Sequence, residues 1–136
     1  MALTSPNNPT GAVVPWEAAE RICRAAARVG AVVLLDLAYV EFAEFDPTWE
    51  ALRHPNVVVV RTVSKAWGLA GLRVGCALGP PPVLSWMAAA GAPYAVSAPS
   101  LALAVAALEA GEAAMQSFVE AVQTARRAIE DGLTAA

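Results

Sequence analysis

The chain has 136 residues, 57% of them hydrophobic and 15% charged, with a formal net charge of -3, enough for one domain with a real core. No block of like charge is present, which argues against a nucleic-acid or anionic-membrane surface. Two cysteines, Cys23 and Cys76, lie far apart without metal-ligand spacing, and a lone histidine, His54, cannot supply a metal cluster. Both thiols read as buried and free in a reducing cytosol. Val74 to Leu108 carries no charge, but five prolines interrupt that stretch and much of the rest is alanine and glycine, so no membrane span is expected. The opening MALTSPNNPTG lacks the basic and apolar regions of a secretory signal. So high an apolar fraction suggests the interior piece of a larger protein, or a protomer with a large partner surface.

Ala2 to Ser5 reads as the end of a strand, and SPNNPTG as a tight turn, since Asn, Pro and Gly each favour turn geometry. Pro15 to Val29 is predicted helical, with proline in the first turn, Glu17 and Glu20 early, arginines later and Gly30 as the stop. Ala31 to Leu35 is a continuous apolar run ending in Asp36, the pattern of a strand covered on both faces. Val57 to Val60 is a second such run, leading into Arg61 and Thr62. Arg73 to Leu78 is a third, opened by Arg73 and closed by Gly79 and three prolines. Pro82 to Ala90 and Pro99 to Ala110 are predicted helices. Glu112 to Leu133 is a longer amphipathic one, with Arg126 and Arg127 on its solvent face. Helices alternating with apolar strands imply an α/β fold with a mostly parallel sheet flanked by helices. The link from Lys65 to Leu72 is too short for a helical crossover, so the strand after it should run antiparallel to the one before. A change of packing unit is expected near Gly111.

Three polar clusters follow apolar strands: Asn7 to Gly11, Asp36 to Tyr39, and Thr62 to Lys65. In an open α/β sheet, ligands bind outside the carboxyl ends of the strands, so these segments should converge on one crevice. Lys65 is the only lysine in the chain, and the other eight cations are arginines. Each residue alone has an ordinary explanation: a solvated lysine, a turn aspartate, a core tyrosine, an edge arginine, a plain NNPTG turn. Chance would have to place an amine, an acid, a phenol, an amide and a guanidinium around one crevice.

SPNNPTG, DLAYVEF and RTVSKAWGLAGLRVG, in this order and spacing, resemble the pyridoxal-phosphate (PLP) aminotransferases of fold type I, above all histidinol-phosphate aminotransferases and their relatives. The resemblance covers nearly all of the chain. It implies that Lys65 forms a Schiff base with the PLP aldehyde and later shuttles a proton, which an always-protonated arginine could not do. It implies that Asp36 pairs with the pyridine nitrogen, and that Asn8 and Tyr39 hydrogen-bond the ring oxygen. Arg73 would clamp the phosphate, with the Thr62 and Ser64 hydroxyls beside it. Gly68 and Gly71 would let the loop backbone pass close to the ligand. Leu37 departs from a common acid and Trp67 from a common phenylalanine, neither at a position with a direct chemical role.

On the same resemblance, residues 1–111 are the C-terminal half of a PLP-binding large domain, and 112–136 a helix leading towards a truncated small domain. Family members are considerably longer. The upstream phosphate-holding turn, the aromatic residue that stacks on the ring and the C-terminal substrate-binding arginine fall outside the matched region. The isolated chain is therefore expected to be poorly soluble or dependent on a partner segment, and without transamination. The implied substrates are an amino acid or amine, such as histidinol phosphate, and a 2-oxo acid. The implied setting is a cytoplasmic homodimer, with neither nucleic acid nor membrane as partner. Alternatives with the same motifs are a phosphothreonine-type decarboxylase, a non-catalytic regulator domain and a decayed fragment. A plain structural α/β domain is the remaining alternative.

Overall fold

Alternation within the apolar runs decides which side chains meet the core. The computed structural model describes residues 1–135; Ala136, the last residue of the segment assigned above to a second unit, lies outside them. Strand β1 (Ala2–Thr4) leads through the NNPTG turn to helix α1 (Trp16–Arg28), then β2 (Val33–Asp36). A 3-10 turn (Val40–Phe42) and a one-turn helix α2 (Thr48–Ala51) precede β3 (Val57–Thr62). A second 3-10 turn (Ala70–Leu72) leads to β4 (Gly75–Leu78), followed by helices α3 (Pro81–Ala90), α4 (Ala98–Ala110) and α5 (Glu112–Thr134). The four strands form one sheet in the order β1-β2-β3-β4. The first three run parallel, and β4 pairs antiparallel with β3, as its short link requires.

In register, Leu3 stands beside Leu35, and Val33 and Leu35 beside Val57 and Val59. Successive strand residues point to opposite faces. This set therefore shares one face, and α1 covers it with Cys23 and Ala26. Val33, Leu35, Val57 and Val59 are all 1% exposed or less. Burying side chains of this size contributes about 1.5–3 kcal/mol each. Asn56 fastens the end of α1 to the sheet, its Nδ2 donating to Cys23 O at 3.0 Å and Ala31 O at 3.1 Å. A smaller cluster of Val63, Val74 and Ala104 seats α4 on the loop after β3, with Trp67, Leu69 and Leu72 around it. α5 reaches back to the 3-10 turn after β2: the Phe42 and Phe118 rings lie 6.5 Å apart.

Several expectations need correcting. Arg73 does not open β4. It has a left-handed backbone (φ 56°), and the strand starts two residues later. Cys23 is buried but Cys76 is exposed: it stands on β4 opposite Arg61, beyond the part of the sheet face that α1 covers. α2 and both 3-10 turns are too short to give a periodic signal. α3 and α4 are mostly apolar, broken only by Ser85, Ser100 and Glu109, yet Trp86, Leu101, Leu103 and Leu108 are exposed. No single described helix is long and apolar enough to cross a membrane, and α4 and α5, long enough together, are bent by 82°.

Candidate functional site

Parallel strands put their carboxyl ends on one edge of a sheet, and an antiparallel neighbour brings its amino end there. The segments after β1, β2 and β3 and the approach to β4 therefore meet at one place. Two backbone bonds lock the rank together: Ser5 N donates to Asp36 O and Leu37 N to Val60 O, both at 3.0 Å.

The NNPTG segment folds into a closed turn. Gly11 N donates to Asn7 O at 2.7 Å, and Asn7 Nδ2 to Thr10 Oγ1 at 2.7 Å. The turn presents Asn8, whose Nδ2 donates to Tyr39 Oη at 3.2 Å. Asp36 ends β2 and bends the chain: its Oδ1 accepts from Ala38 N at 2.9 Å, the usual local bond of an aspartate in a turn. Tyr39 follows, half-buried, and Lys65 Nζ lies 5.2 Å from the centre of its ring, within cation–π range. Asn8, Tyr39 and Lys65, from three separate loops, thus form one contact group.

The loop after β3 is braced from inside. Thr62 Oγ1 donates to Val74 O and accepts from Ser64 N, each at 3.1 Å. Gly68, at φ +67°, closes the turn after Lys65 by donating its N–H to Lys65 O at 2.9 Å, a backbone shape that glycine adopts without strain. Asp36 pairs in register with Val60, so Asp36 and Thr62 lie on the same face of the sheet, opposite α1. Arg73 stands at the far end of the loop, exposed, with its Nη1 donating to Ala70 O at 3.2 Å. Among the described residues it does not join the Asn8–Tyr39–Lys65 group. A cleft of about 280 Å³ beside that group is lined by Asn8, Tyr39, Phe42 and Arg126. Arg126 is exposed, as expected, and pairs with Glu130 at 3.4 Å.

The sequence reading gave no role to Arg61. Its guanidinium donates to Glu41 Oε1 at 2.9 Å, Asp46 Oδ2 at 2.8 Å and Thr48 Oγ1 at 2.9 Å. Burial pulls the Arg61 pKa down, but hydrogen bonds and charges from Glu41 and Asp46 outweigh it and leave the pKa raised. Burial likewise pushes the Asp46 carboxyl up, yet bonds from Thr48 and the Arg61 charge hold it below the usual range. One signal was available: counting by twos from Val57 and Val59 places Arg61 on the core side of β3.

The donor set suits PLP chemically. It offers one primary amine, a carboxylate on the same sheet edge, a phenol and an amide in contact, and a guanidinium at the loop's end.

The sequence model of the family described as aminotransferase class I and II matches residues 1–136. A histidinol-phosphate aminotransferase of Methanococcoides burtonii is 43% identical over 106 residues, covering 78% of this chain and 29% of that protein. An aromatic amino acid aminotransferase of Nocardia farcinica is 39% identical over 138 residues, covering 97% of this chain and 38% of that one. The chain thus spans about a third of the length of such relatives. A crystal structure of histidinol-phosphate aminotransferase from Sinorhizobium meliloti with pyridoxal-5'-phosphate superimposes with a TM-score of 0.78 at 31% identity, covering 94% of this chain and 35% of that one. The sheet has the fold type I arrangement of that structure. The chain belongs to the class I and II aminotransferase family.

Proposed function

We propose that this chain is the PLP-binding segment of an aminotransferase that moves an amino group between an amino acid or amine and a 2-oxo acid. The observation that carries this reading is the sole lysine, Lys65, set over the Tyr39 ring while Asn8 holds the Tyr39 hydroxyl. Histidinol phosphate or an aromatic amino acid is the proposed amino donor, following the relatives named above. Residues 1–111 form the cofactor-binding part in this reading, and the helix from Glu112 leads towards a second unit.

PLP, when bound, supplies an electron-withdrawing ring that stabilises negative charge at the substrate Cα. Lys65 would be the group that holds the cofactor through its aldehyde carbon, and its Nζ would hold and return a proton. The Asp36 carboxylate would be the partner of the protonated ring nitrogen. Asn8 Nδ2 and Tyr39 Oη, already bonded to each other, would be the donors that hold the ring oxygen. Arg73, which here donates to Ala70 O, would supply the charge for the phosphate, with the Ser64 hydroxyl as a further donor. Thr62 contributes by bracing the loop, since its proton already goes to Val74 O.

Among the described residues, β1 and β4 have open edges and α3 and α4 expose apolar side chains, which supports assembly with more protein, a second copy included. They also support the proposal that the 136 residues alone do not turn over substrate. A cytoplasmic setting belongs to the same reading. The test is an absorption spectrum with added PLP for wild type and Lys65→Ala. A visible band distinct from free PLP, present only with Lys65, is expected. Free-PLP spectra from both proteins would sink the site assignment, and robust turnover of an amino donor by the isolated chain would sink the claim of inactivity.

A further inference from the structure

Tyr39 opens the 3-10 turn Val40–Phe42, and Phe42 N donates back to Tyr39 O at 3.1 Å. The side chains of that turn find mostly apolar, non-directional partners: Val40 in the core and Phe42 against Phe118. Glu41 is the exception. Its side chain is 9% exposed and takes the Arg61 Nη2 bond at 2.9 Å. Its other oxygen, Oε2, is buried and without a hydrogen-bond partner among the described residues. The second arm of the same guanidinium reaches Asp46 and Thr48, which bond each other as well. A single fork on β3 therefore grips the 41–48 segment at both ends. Arg61 directly precedes Thr62 on the strand that delivers Ser64 and Lys65.

The contacts at stake leave little slack. Asn8 to Tyr39 is 3.2 Å and Lys65 Nζ to the ring centre 5.2 Å. A slip of the turn by about an ångström would break the first, since N–H···O bonds fade beyond about 3.2 Å. We propose that Arg61 is a positioning residue: by clamping the 41–48 segment to β3 it holds the Tyr39 ring beneath the Lys65 amine. Its place in catalysis rests on the function proposed above, while the positioning itself does not.

Because Lys65 is the only lysine, the geometry can be read directly. Reductive methylation with ¹³C-formaldehyde puts one labelled dimethylamine on Nζ, keeping its charge, and Lys65→Arg assigns the signal against that of the amino terminus. Methyl groups over the face of an aromatic ring resonate upfield, so wild type should show a displaced signal that Tyr39→Leu abolishes. The paired variant Glu41→Gln with Arg61→Gln, which leaves no lone buried charge, should lose most of that displacement while amide signals of β1, β2 and α1 stay in place. Asp46→Ala removes the charged partner of one arm of the fork at a half-exposed position, adds no second amine, and should give an intermediate shift even if the paired variant does not fold. A wild-type shift in either folded variant overturns the proposal, as does an undisplaced signal in the wild type. The PLP spectrum is recorded on the same samples: no Lys65-dependent band with a normal ring shift refutes the function, not the positioning.

Discussion

Replacing Arg61 with methionine should destabilise the chain far more than loss of a surface ion pair. The Glu41 side chain is 9% exposed, one of its oxygens already lacks a partner, and the other loses its 2.9 Å bond to Arg61. Stranding a buried charge in this way costs about 3–5 kcal/mol. Asp46 adds little, because its side chain is 46% exposed and such pairs contribute about 0–1 kcal/mol. The loss is a large share of the roughly 5–15 kcal/mol that holds a domain folded. In a domain of this size it corresponds to a fall in Tm of about 10–15 °C. The double variant Glu41→Leu with Arg61→Met removes both charges, and should recover to within about 1–2 kcal/mol of wild type. Urea unfolding followed by circular dichroism measures all three proteins, with unchanged m-values confirming that the midpoints are comparable. A loss below about 1 kcal/mol for Arg61→Met, or a double variant no more stable than the single one, would refute the reasoning. Either result would mean that water, rather than Arg61, solvates Glu41.

Gly79→Ala places a Cβ 2.9 Å from Val57 O and 3.2 Å from Val58 Cα, atoms of the sheet backbone that cannot step aside. It should cost about 1–3 kcal/mol, and an unchanged thermal midpoint would contradict the close approach of β3 and Gly79. Burial, aided by the Glu20 charge, raises the Cys23 thiol pKa, so the folded chain keeps that proton to higher pH than the unfolded one. The associated stability is full below the ordinary thiol value of about 8.5 and fades as pH rises through the raised folded value. Between neutral and strongly alkaline pH, wild type should therefore lose stability more steeply than Cys23→Ala, and parallel curves would rule this out.

The sheet was legible because its strands are short apolar runs bounded by strong punctuation. Proline and glycine delimit α1, and the length of the Lys65–Leu72 link was enough to set β4 antiparallel. What could not be read is what depends on distant partners. Arg61 meets Thr48, Asp46 and Glu41 across 13, 15 and 20 positions of sequence. Local pattern places Arg61 on the core face but does not say that two acids wait there. Cys76 looked like a core thiol because its strand is apolar. Its exposure follows from how far α1 covers the sheet face, which stops short of β4, and not from the residues near it.

The candidate site divides along the same line. Parallel topology alone brings Asn8, Asp36, Tyr39 and Lys65 to one edge, so their convergence follows from the element order. The aim of each side chain does not, and Arg73 shows why. It turns the chain from the 3-10 turn into β4 with φ 56°, a left-handed backbone that costs a residue bearing a Cβ about 1–2 kcal/mol. Glycine would fit that turn with less strain. The chain carries a long charged side chain there instead, exposed and held only by Ala70 O at 3.2 Å, among the described residues. Neither packing nor ion pairing within the described residues accounts for it. A phosphate bound at the end of this loop is the use that the proposed function gives it.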